Sequence, residues 1–334
     1  MESKDLNKIF ASFNNLKVLI IGDIMLDVYY WGDVSRISPE APVPIVAVRK
    51  KESRMGGAGN VAINIQAMGA TPILCSVIGN DSNGERLLKI LKEKKLLTDG
   101  IVVSDDRPTT TKTRIISSNH HIVRIDDETD EYVGDKQTKK LLEQIQKFIE
   151  SGKTDVIIFE DYDKGVISPG LIKKVVALAK KHKIPTVVDP KKRNFTAYNE
   201  VTLFKPNLKE LKEGLGVDVQ AADLKHVQLV TEQLRKKQKI ENVLVTLSEH
   251  GVYINSEKEK KLVPAHVRNI SDVSGAGDTV VSVAALCCAL HLSPYETAYL
   301  SNLAGGQVIE KVGVAAVDKK QFLEEALQFM NGNK

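Results

Sequence analysis

Cysteine and long apolar runs are both scarce in this chain of 334 residues. Its three cysteines, Cys75, Cys287 and Cys288, lie within apolar stretches, and adjacent cysteines are poorly placed to bridge each other. The longest apolar run, residues 280–290, is interrupted by Ser282 and is too short to span a bilayer. A disulfide scaffold and a membrane partner are therefore excluded, and a cytoplasmic location is expected.

A strong excess of one charge and a biased composition are absent as well. The net charge is +4. Hydrophobic residues make up 42% of the chain and charged residues 27%, and there are only 11 prolines, so no segment is biased enough in composition to be disordered. The lysine-rich segments 92–95 and 235–239 lie in helix-like, glutamate-containing sequence, which is typical of solvated helix faces rather than of nucleic-acid contacts. We therefore expect a globular protein without a nucleic-acid partner, whose small positive excess suits an anionic substrate.

What the chain does contain is a recurring short apolar run. One such run covers residues 17–22 and ends at Gly22 and Asp23. Three more apolar runs cover residues 155–160, 184–189 and 242–247. Each follows a segment with helical periodicity, and these segments are 135–151, 168–182 and 221–238 respectively. Buried strands that alternate with helices predict a mainly parallel sheet with helices on both faces. Further helices are predicted at 277–291, 293–310 and 318–329.

Two segments, at about 33–50 and 107–126, break this rhythm. Apolar and polar residues alternate in them, as around Thr111 and Ile115, and this pattern predicts antiparallel strands with one wet face. We interpret them as a small β-sheet lid inserted into a single domain that spans 1–334. Exposed strand edges would favour a homodimer through the lid.

Two glycine-containing segments imitate nucleotide-binding motifs without their context. Residues 152–154 end like a Walker A loop, but Lys147 stands where that motif requires glycine, and a strand follows instead of preceding. Residues 57–62 fit G-x-G-x-x-A, but no buried strand precedes them. Neither a P-loop nor a dinucleotide-binding fold is predicted.

Gly56, Gly57 and Asn60 open a helix-periodic segment. Glycine lets backbone amides approach a ligand, and Asn60 offers both a donor and an acceptor to sugar hydroxyls. A loose connection is an equally good interpretation of the two glycines.

The segment Gly275-Ala276-Gly277-Asp278 opens an apolar helix. Amides at a glycine-rich helix start bind anions, and an adjacent carboxylate can accept the proton of an attacking hydroxyl, so the segment suits phosphoryl transfer. Taken alone, Asp278 is also a candidate helix cap.

Asn207 and Glu210 stand three positions apart at another predicted helix start, and therefore share one face. They either cap that helix or orient Mg²⁺ and its waters.

Together, the two glycine segments and their spacing from Asn207 and Glu210 resemble the ribokinase-like (PfkB) carbohydrate kinase family over nearly the whole chain. The resemblance implies a three-layer α/β/α fold with a mainly parallel central sheet and a small inserted β-sheet lid. It implies ATP-dependent sugar phosphorylation with Asp278 as general base, an anion hole at 275–277, and Mg²⁺ as cofactor; a monovalent cation is left open. The ATP site is expected at Lys191, Asn207, Glu210, Ser248, Gly251 and Asn302.

Within the family, residues 22–27, 35–44 and 161–165 most resemble the kinases that phosphorylate O1 of D-glycero-β-D-manno-heptose 7-phosphate. A phosphorylated sugar requires cations, because a bound phosphate needs charge-assisted hydrogen bonds. The candidate cations are Arg36, Lys112, Arg114, Arg124 and Lys164, although each is also an ordinary candidate for a surface ion pair. The candidates for reading sugar hydroxyls are Asp27, Gly56, Gly57, Asn60 and Asp161.

Many members of this subgroup carry a fused nucleotidyltransferase with a His-x-Gly-His loop, which this sequence does not contain. Kinase activity alone is therefore predicted. Two alternatives remain at this point: another sugar kinase of the ribokinase or fructokinase type, and a non-catalytic sugar-phosphate sensor.

Overall fold

The apolar runs of the sequence form the strands of a nine-stranded sheet in a computed structural model that describes residues 3–118, 120–266, 268–311 and 313–332. The strands in these ranges, numbered along the chain, are β1 (Lys17–Gly22), β2 (Ile24–Ile37), β3 (Pro44–Gly57), β4 (Thr71–Gly79), β5 (Ile101–Ser104), β6 (Thr111–Ser117), β7 (His120–Asp127), β8 (Val156–Glu160), β9 (Thr186–Asp189), β10 (Leu203–Phe204), β11 (Asn242–Thr246), β12 (Val252–Ser256) and β13 (Lys260–Val263). The helices are α1 (Ser3–Ser12), α2 (Ala58–Ala67), α3 (Ser82–Glu93), α4 (Asp135–Glu150), α5 (Pro169–His182), α6 (Leu208–Leu215), α7 (Leu224–Lys237), α8 (Ala276–Ala289), α9 (Pro294–Val308) and α10 (Lys319–Gly332).

The large sheet has the strand order β13-β12-β11-β10-β9-β8-β1-β4-β5. All neighbouring pairs are parallel except the two that involve β12. The chain moves outward from β1 through β4 and β5 and then returns to β8 on the other side of β1. Such a reversal opens a crevice at the carboxyl ends of the strands, which is where open α/β sheets bind ligands.

Two buried apolar clusters lie on the two faces of this sheet. One contains core residues of α1, α2, α3, α8, α9 and α10, and the other those of α4, α5, α6 and α7. Continuous apolar strands are explained by this arrangement, because both of their faces are covered. The predicted three-layer α/β/α architecture is confirmed. In the described ranges, no helix combines the length and apolar character that crossing a membrane requires.

The lid is a four-stranded sheet with the order β3-β2-β6-β7. Its outer pairs are antiparallel, but β2 and β6 run parallel, which departs from the all-antiparallel prediction. The lid strands also extend well beyond the predicted 33–50, from Ile24 to Gly57. The boundary was hidden in the sequence because Ile24, Met25 and Leu26 are buried in the body and show no alternation.

Gly22, at the end of β1, is a close-packed position where a side chain should disrupt the sheet. It pairs with Glu160 of β8, and a Cβ on residue 22 would lie 2.0 Å from the Glu160 carbonyl oxygen. We expect Gly22→Ala to lower the free energy of unfolding by about 2–3 kcal/mol, as overpacking commonly does. Urea denaturation followed by circular dichroism measures this.

The matched control for this substitution is Gly170→Ala in α5. The nearest atom to its Cβ would be 3.9 Å away, so no clash arises. Its stability should stay equal or rise by up to about 1 kcal/mol, because alanine favours helix over glycine. Equal denaturation midpoints for the two variants would contradict the role of Gly22.

Candidate active site

Four charged side chains meet where the central strands end. Glu160 and Asp189 are the last residues of β8 and β9, Lys205 follows β10, and Asp278 lies in the first turn of α8. All four are buried, with at most 5% of any of them exposed. Oxygens of the three carboxylates lie within 4.8 Å of one another. The carboxyl edge of the sheet thus concentrates negative charge away from water.

Two features reduce the negative charge of this cluster. Lys205 Nζ lies 2.7 Å from Asp189 Oδ2. Glu160 is fully buried, and neither of its carboxylate oxygens has a hydrogen-bond partner among the described residues. Burial, then the charges of Asp189 and Asp278, raise the pKa of Glu160 well above its ordinary value. Glu160 therefore takes up a proton more readily than an exposed glutamate.

Asp278 is held by two donors from distant parts of the chain. Its Oδ2 accepts from Asn60 Nδ2 at 2.5 Å, and its Oδ1 accepts from the Tyr162 hydroxyl at 2.8 Å. Burial raises the pKa of Asp278 to about 6, and the Asn60 hydrogen bond opposes that rise. The carboxylate is therefore ionised at neutral pH yet more basic than an exposed one, as a general base requires. Its oxygens do not cap α8, so the helix-cap interpretation is wrong.

The predicted anion hole is the N-terminus of α8. Gly275 caps the helix with φ +81°, and a Cβ there would come within 2.9 Å of Asn60 Nδ2. Amides of a first helical turn have no partner within their own helix and attract anions. A Cβ on Gly277 would lie 3.5 Å from Lys205 Nζ, so the ammonium adjoins these amides. Anion donors and the candidate base are thus side by side.

Asp23 is a site residue that the sequence interpretation missed. It is 1% exposed, and its carboxylate accepts from the backbone amides of Tyr162 at 2.8 Å and of Lys164 and Val166 at 3.1 Å. Burial raises its pKa, and these three hydrogen bonds oppose the rise. Asp23 therefore fixes the loop that follows β8. An acid placed directly after a buried strand was the available signal.

The glycines at 56 and 57 form a tight corner between β3 and α2. Gly57 has φ +56°, and a Cβ on Gly56 would lie 2.2 Å from Asp27 Oδ2. This corner brings Asn60, in the first turn of α2, to Asp278. The loose-connection interpretation is therefore wrong. Asp27 in turn forms an ion pair with Arg114 of β6.

Asp161 was predicted to read sugar hydroxyls, and the structure corrects this. The residue is 1% exposed, and its Oδ2 accepts from Tyr198 at 2.8 Å and Asn194 at 2.9 Å. Its Oδ1 accepts from the Asp163 amide. Burial raises its pKa to about 7. The carboxylate is therefore turned into the body, where Tyr198 and Asn194 hold it.

Four of the five predicted substrate cations are paired with acids. Lys112 Nζ lies 2.8 Å from Glu128 Oε2, and Lys164 Nζ lies 2.7 Å from Glu128 Oε1, so lid and body share one carboxylate. Arg114 pairs with Asp27, and the largely exposed Arg124 pairs with Asp126. Arg36 is exposed near the far end of β2. Only part of the predicted set is therefore brought together.

Asn207 and Glu210 form a reciprocal capping box at α6. The Asn207 amide donates to Glu210 Oε2 and the Glu210 amide donates to Asn207 Oδ1, both at 2.8 Å. The capping interpretation is confirmed, yet Glu210 also forms an ion pair with Lys191. Lys191 Nζ lies 5.2 Å from the centre of the Tyr162 ring. Lys191 therefore links the Glu210 cap to Tyr162, whose hydroxyl donates to Asp278.

Of the other predicted nucleotide residues, Ser248 and Gly251 lie at the next strand end and Asn302 lies in α9. Ser248 and Gly251 shape the turn between β11 and β12, and Asn207 forms a β-bridge with Thr246 at the start of that turn. Asn302 of α9 donates to the Pro264 carbonyl at 2.8 Å. Ser248 and Gly251 thus adjoin the Asn207 cap, whereas Asn302 borders the chain that leaves β13.

Residues 15–321 match the model of a protein family described as pfkB family carbohydrate kinase. A protein of Geobacter sulfurreducens named Bifunctional protein HldE is 36% identical over 333 residues, which cover 99% of this chain and 67% of that relative. A protein of the same name from Sulfurimonas denitrificans is 38% identical over 320 residues, covering 95% and 65%. This chain thus spans about two thirds of the length of these relatives.

Solved structures share the fold at low sequence identity. Phosphofructokinase-2 from Escherichia coli, in a tetrameric inhibited form, has a TM-score of 0.76 and 19% identity, covering 94% of this chain and 99% of that one. Ribokinase of Arabidopsis thaliana, complexed with ribose and ATP, has a TM-score of 0.70 and 16% identity, covering 92% and 98%. The ribokinase-like fold is confirmed. With the family match and the relatives, these observations show that the chain belongs to the pfkB family of carbohydrate kinases and is an ATP-dependent sugar kinase.

Proposed function

We propose that this kinase transfers the γ-phosphoryl group of ATP to O1 of D-glycero-β-D-manno-heptose 7-phosphate, giving the 1,7-bisphosphate, with Asp278 as general base. The observation that carries the proposal is the buried Asp278 carboxylate, aimed by Asn60 and Tyr162 beside the amide end of α8. The choice of sugar rests on the subgroup resemblance of residues 22–27, 35–44 and 161–165 and on the cations of the cleft. The relatives are named as bifunctional proteins. For the residues of this chain we propose only the kinase activity.

The sugar binds between the lid and the carboxyl edge of the sheet, with Asp27, Gly56, Gly57 and Asn60 facing its hydroxyls. Asp278 accepts the O1 proton while the oxygen attacks phosphorus in line, and ADP leaves. The amides of 275–278 and the Lys205 ammonium stabilise the charge of the transferring group. Burial of this edge strengthens these interactions, because water does not screen them.

ATP lies along Ser248 and Gly251, with Asn302 at its border and its phosphates near Lys191, Asn207 and Glu210. The donors at this edge are carboxylate and amide oxygens, and two oxygens of Glu160 and one of Asp189 lack partners among the described residues, which fits a hard cation. Asn207 and Glu210 would hold Mg²⁺ through its waters, and a bound ion would supply positive charge to the ATP phosphates. A monovalent cation remains compatible with the same donor set. ATP supply and buried, reduced cysteines favour a cytoplasmic setting.

The 7-phosphate is assigned to Lys112 and Lys164. These ammonium groups approach from the lid and from the body and converge on Glu128. A substrate phosphate that replaces Glu128 would keep both cations paired and would close the lid on the sugar.

A second copy of this chain is proposed to cover the lid. All eight residues of the edge strand β7 are exposed, including Ile122, Val123 and Ile125 at 39–53%. An exposed strand edge with apolar side chains is a template for pairing with another chain. A homodimer through the lid follows.

Replacing Asp278 with asparagine keeps its shape and removes its basicity. We expect turnover to fall by at least about 100-fold, the lower range of general-base contributions, while ATP binding changes little. Coupled ADP-release kinetics and calorimetric ATP titration measure the two effects. Near-normal turnover of Asp278→Asn would remove Asp278 from the role of base.

The substrate is identified by an ADP-release panel of heptose 7-phosphate, unphosphorylated heptose, ribose, fructose and hexose phosphates. Heptose 7-phosphate should give the highest kcat/KM, and Lys164→Ala should raise its KM about tenfold or more, because a charge-assisted hydrogen bond is lost. Lys180→Ala, in an exposed ion pair with Glu200 at the other end of the sheet, is the control and should leave KM unchanged. A preference for ribose or fructose would instead favour a ribokinase- or fructokinase-type enzyme, and tight binding without ADP release would favour a sensor.

The dimer is tested with Ile125→Lys in β7. The wild type should have the mass of two chains in light scattering at micromolar concentration, and the variant should shift toward one, since a buried unpaired charge opposes association. Leu229→Lys, at a 56% exposed apolar position of α7, is the control and should remain dimeric. A monomeric wild type, or no difference between the variants, contradicts the lid interface.

A further inference from the structure

Tyr162 is a single residue that contacts Asp23, Asp278 and Lys191. Its backbone amide is held by Asp23 in the loop after β8. Its hydroxyl donates to Asp278 Oδ1 at 2.8 Å, and its ring lies 5.2 Å from Lys191 Nζ, which pairs with Glu210. Tyr162 therefore contacts Asp23 through its amide, Asp278 through its hydroxyl and Lys191 through its ring.

The phenol is built to remain a donor. A neutral tyrosine hydroxyl has one proton to donate, and the hydrogen bond at Asp278 uses it. Tyr162 thus stabilises the ionised carboxylate without competing for its proton.

The two hydrogen bonds of Asp278 also fix its orientation. Asn60 engages one carboxylate oxygen and Tyr162 the other, so rotation of the group would break at least one bond. Each carboxylate oxygen can accept about two hydrogen bonds, which leaves an open acceptor position for the substrate hydroxyl. The direction of that open position is therefore set by Tyr162 and Asn60 together.

We infer that Tyr162 is the positioning residue of the general base, orienting Asp278 toward the sugar hydroxyl and linking its orientation to the loop that Asp23 holds and to Lys191. This inference rests on the proposed role of Asp278. During transfer the hydroxyl proton moves to Asp278, the new O–P bond forms as the bond to ADP breaks, and Tyr162 keeps its own proton throughout.

The test is the pH profile of Tyr162→Phe, which keeps the ring beside Lys191 and removes only the hydroxyl. In the wild type, kcat/KM should fall below the pKa of Asp278, which burial raises to about 6, because the protonated acid cannot accept the proton. Loss of a donor to the carboxylate raises that pKa further, so the acid limb of the variant should move to higher pH. At neutral pH, kcat should fall about 10- to 100-fold, as expected for a lost hydrogen bond to a charged group, with ATP affinity unchanged.

The groups that face Asp278 are the other interactions that could shift the acid limb of the pH profile. They are Asn60 from α2, Glu160 and Asp189 from the strand ends, and Lys205, and all of them are retained in Tyr162→Phe. A shift of the limb therefore reports the missing hydroxyl. A loss of folding would instead appear in circular dichroism.

The matched control is Tyr132→Phe. Tyr132 also donates a hydrogen bond, to Asn194 Oδ1 at 3.1 Å, and also has a cation, Arg193, 5.1 Å from its ring centre. It does not touch Asp278, so its pH profile and kcat should match the wild type. A second variant, 3-fluorotyrosine at position 162, keeps the hydroxyl and strengthens it as a donor. It should move the acid limb to lower pH, opposite to phenylalanine.

The outcomes separate the two proposals. Full activity of Asp278→Asn overturns the base itself. An inactive Asp278→Asn together with wild-type pH profiles for both position-162 variants overturns the positioning role alone. Opposite shifts of the limb for phenylalanine and fluorotyrosine, with Tyr132→Phe unchanged, support it.

Discussion

Burial of negative charge at the carboxyl edge of the sheet is the constraint on which the cleft depends. Glu160, Asp189 and Asp278 lie close together and out of water, so each must be neutralised or given donors. Lys205 forms an ion pair with Asp189, burial and neighbouring charges raise the pKa of Glu160, and Asn60 and Tyr162 donate hydrogen bonds to Asp278. The orientation of the Asp278 carboxylate thus follows from the need to give a buried charge its hydrogen-bond donors.

Close backbone approach is the second requirement, because these groups come from strands, loops and helix ends that must nearly touch. Gly22 lets β1 meet β8, Gly57 turns the chain into α2, and Gly275 opens α8 against Asn60. A side chain at any of these points would push apart elements that carry charged groups. These glycines therefore allow the close packing that brings the side chains of the site together.

Local patterns were enough to predict the layers and to single out Asp278 as the candidate base. The apolar runs identified β1, β8, β9 and β11, and glycines before an acid identified Asp278. The partners of Asp278 were hidden, because Asn60 and Tyr162 lie 218 and 116 positions away and only the fold joins them. Asp161 was misjudged for a related reason. Its direction is set by Asn194 and Tyr198, which lie 33 and 37 positions away, and no spacing in the sequence records those contacts.

The parallel pairing of β2 with β6 has a consequence for how the chain folds. Leu26 pairs with Thr111, and β3, α2, β4, α3 and β5 all lie between them in sequence. Closing so long a loop costs entropy before the pairing compensates for it, whereas the β2–β3 hairpin is local. We therefore expect the β2–β6 pairing to form later in folding than the β2–β3 hairpin, which makes the complete lid sheet a long-range assembly step.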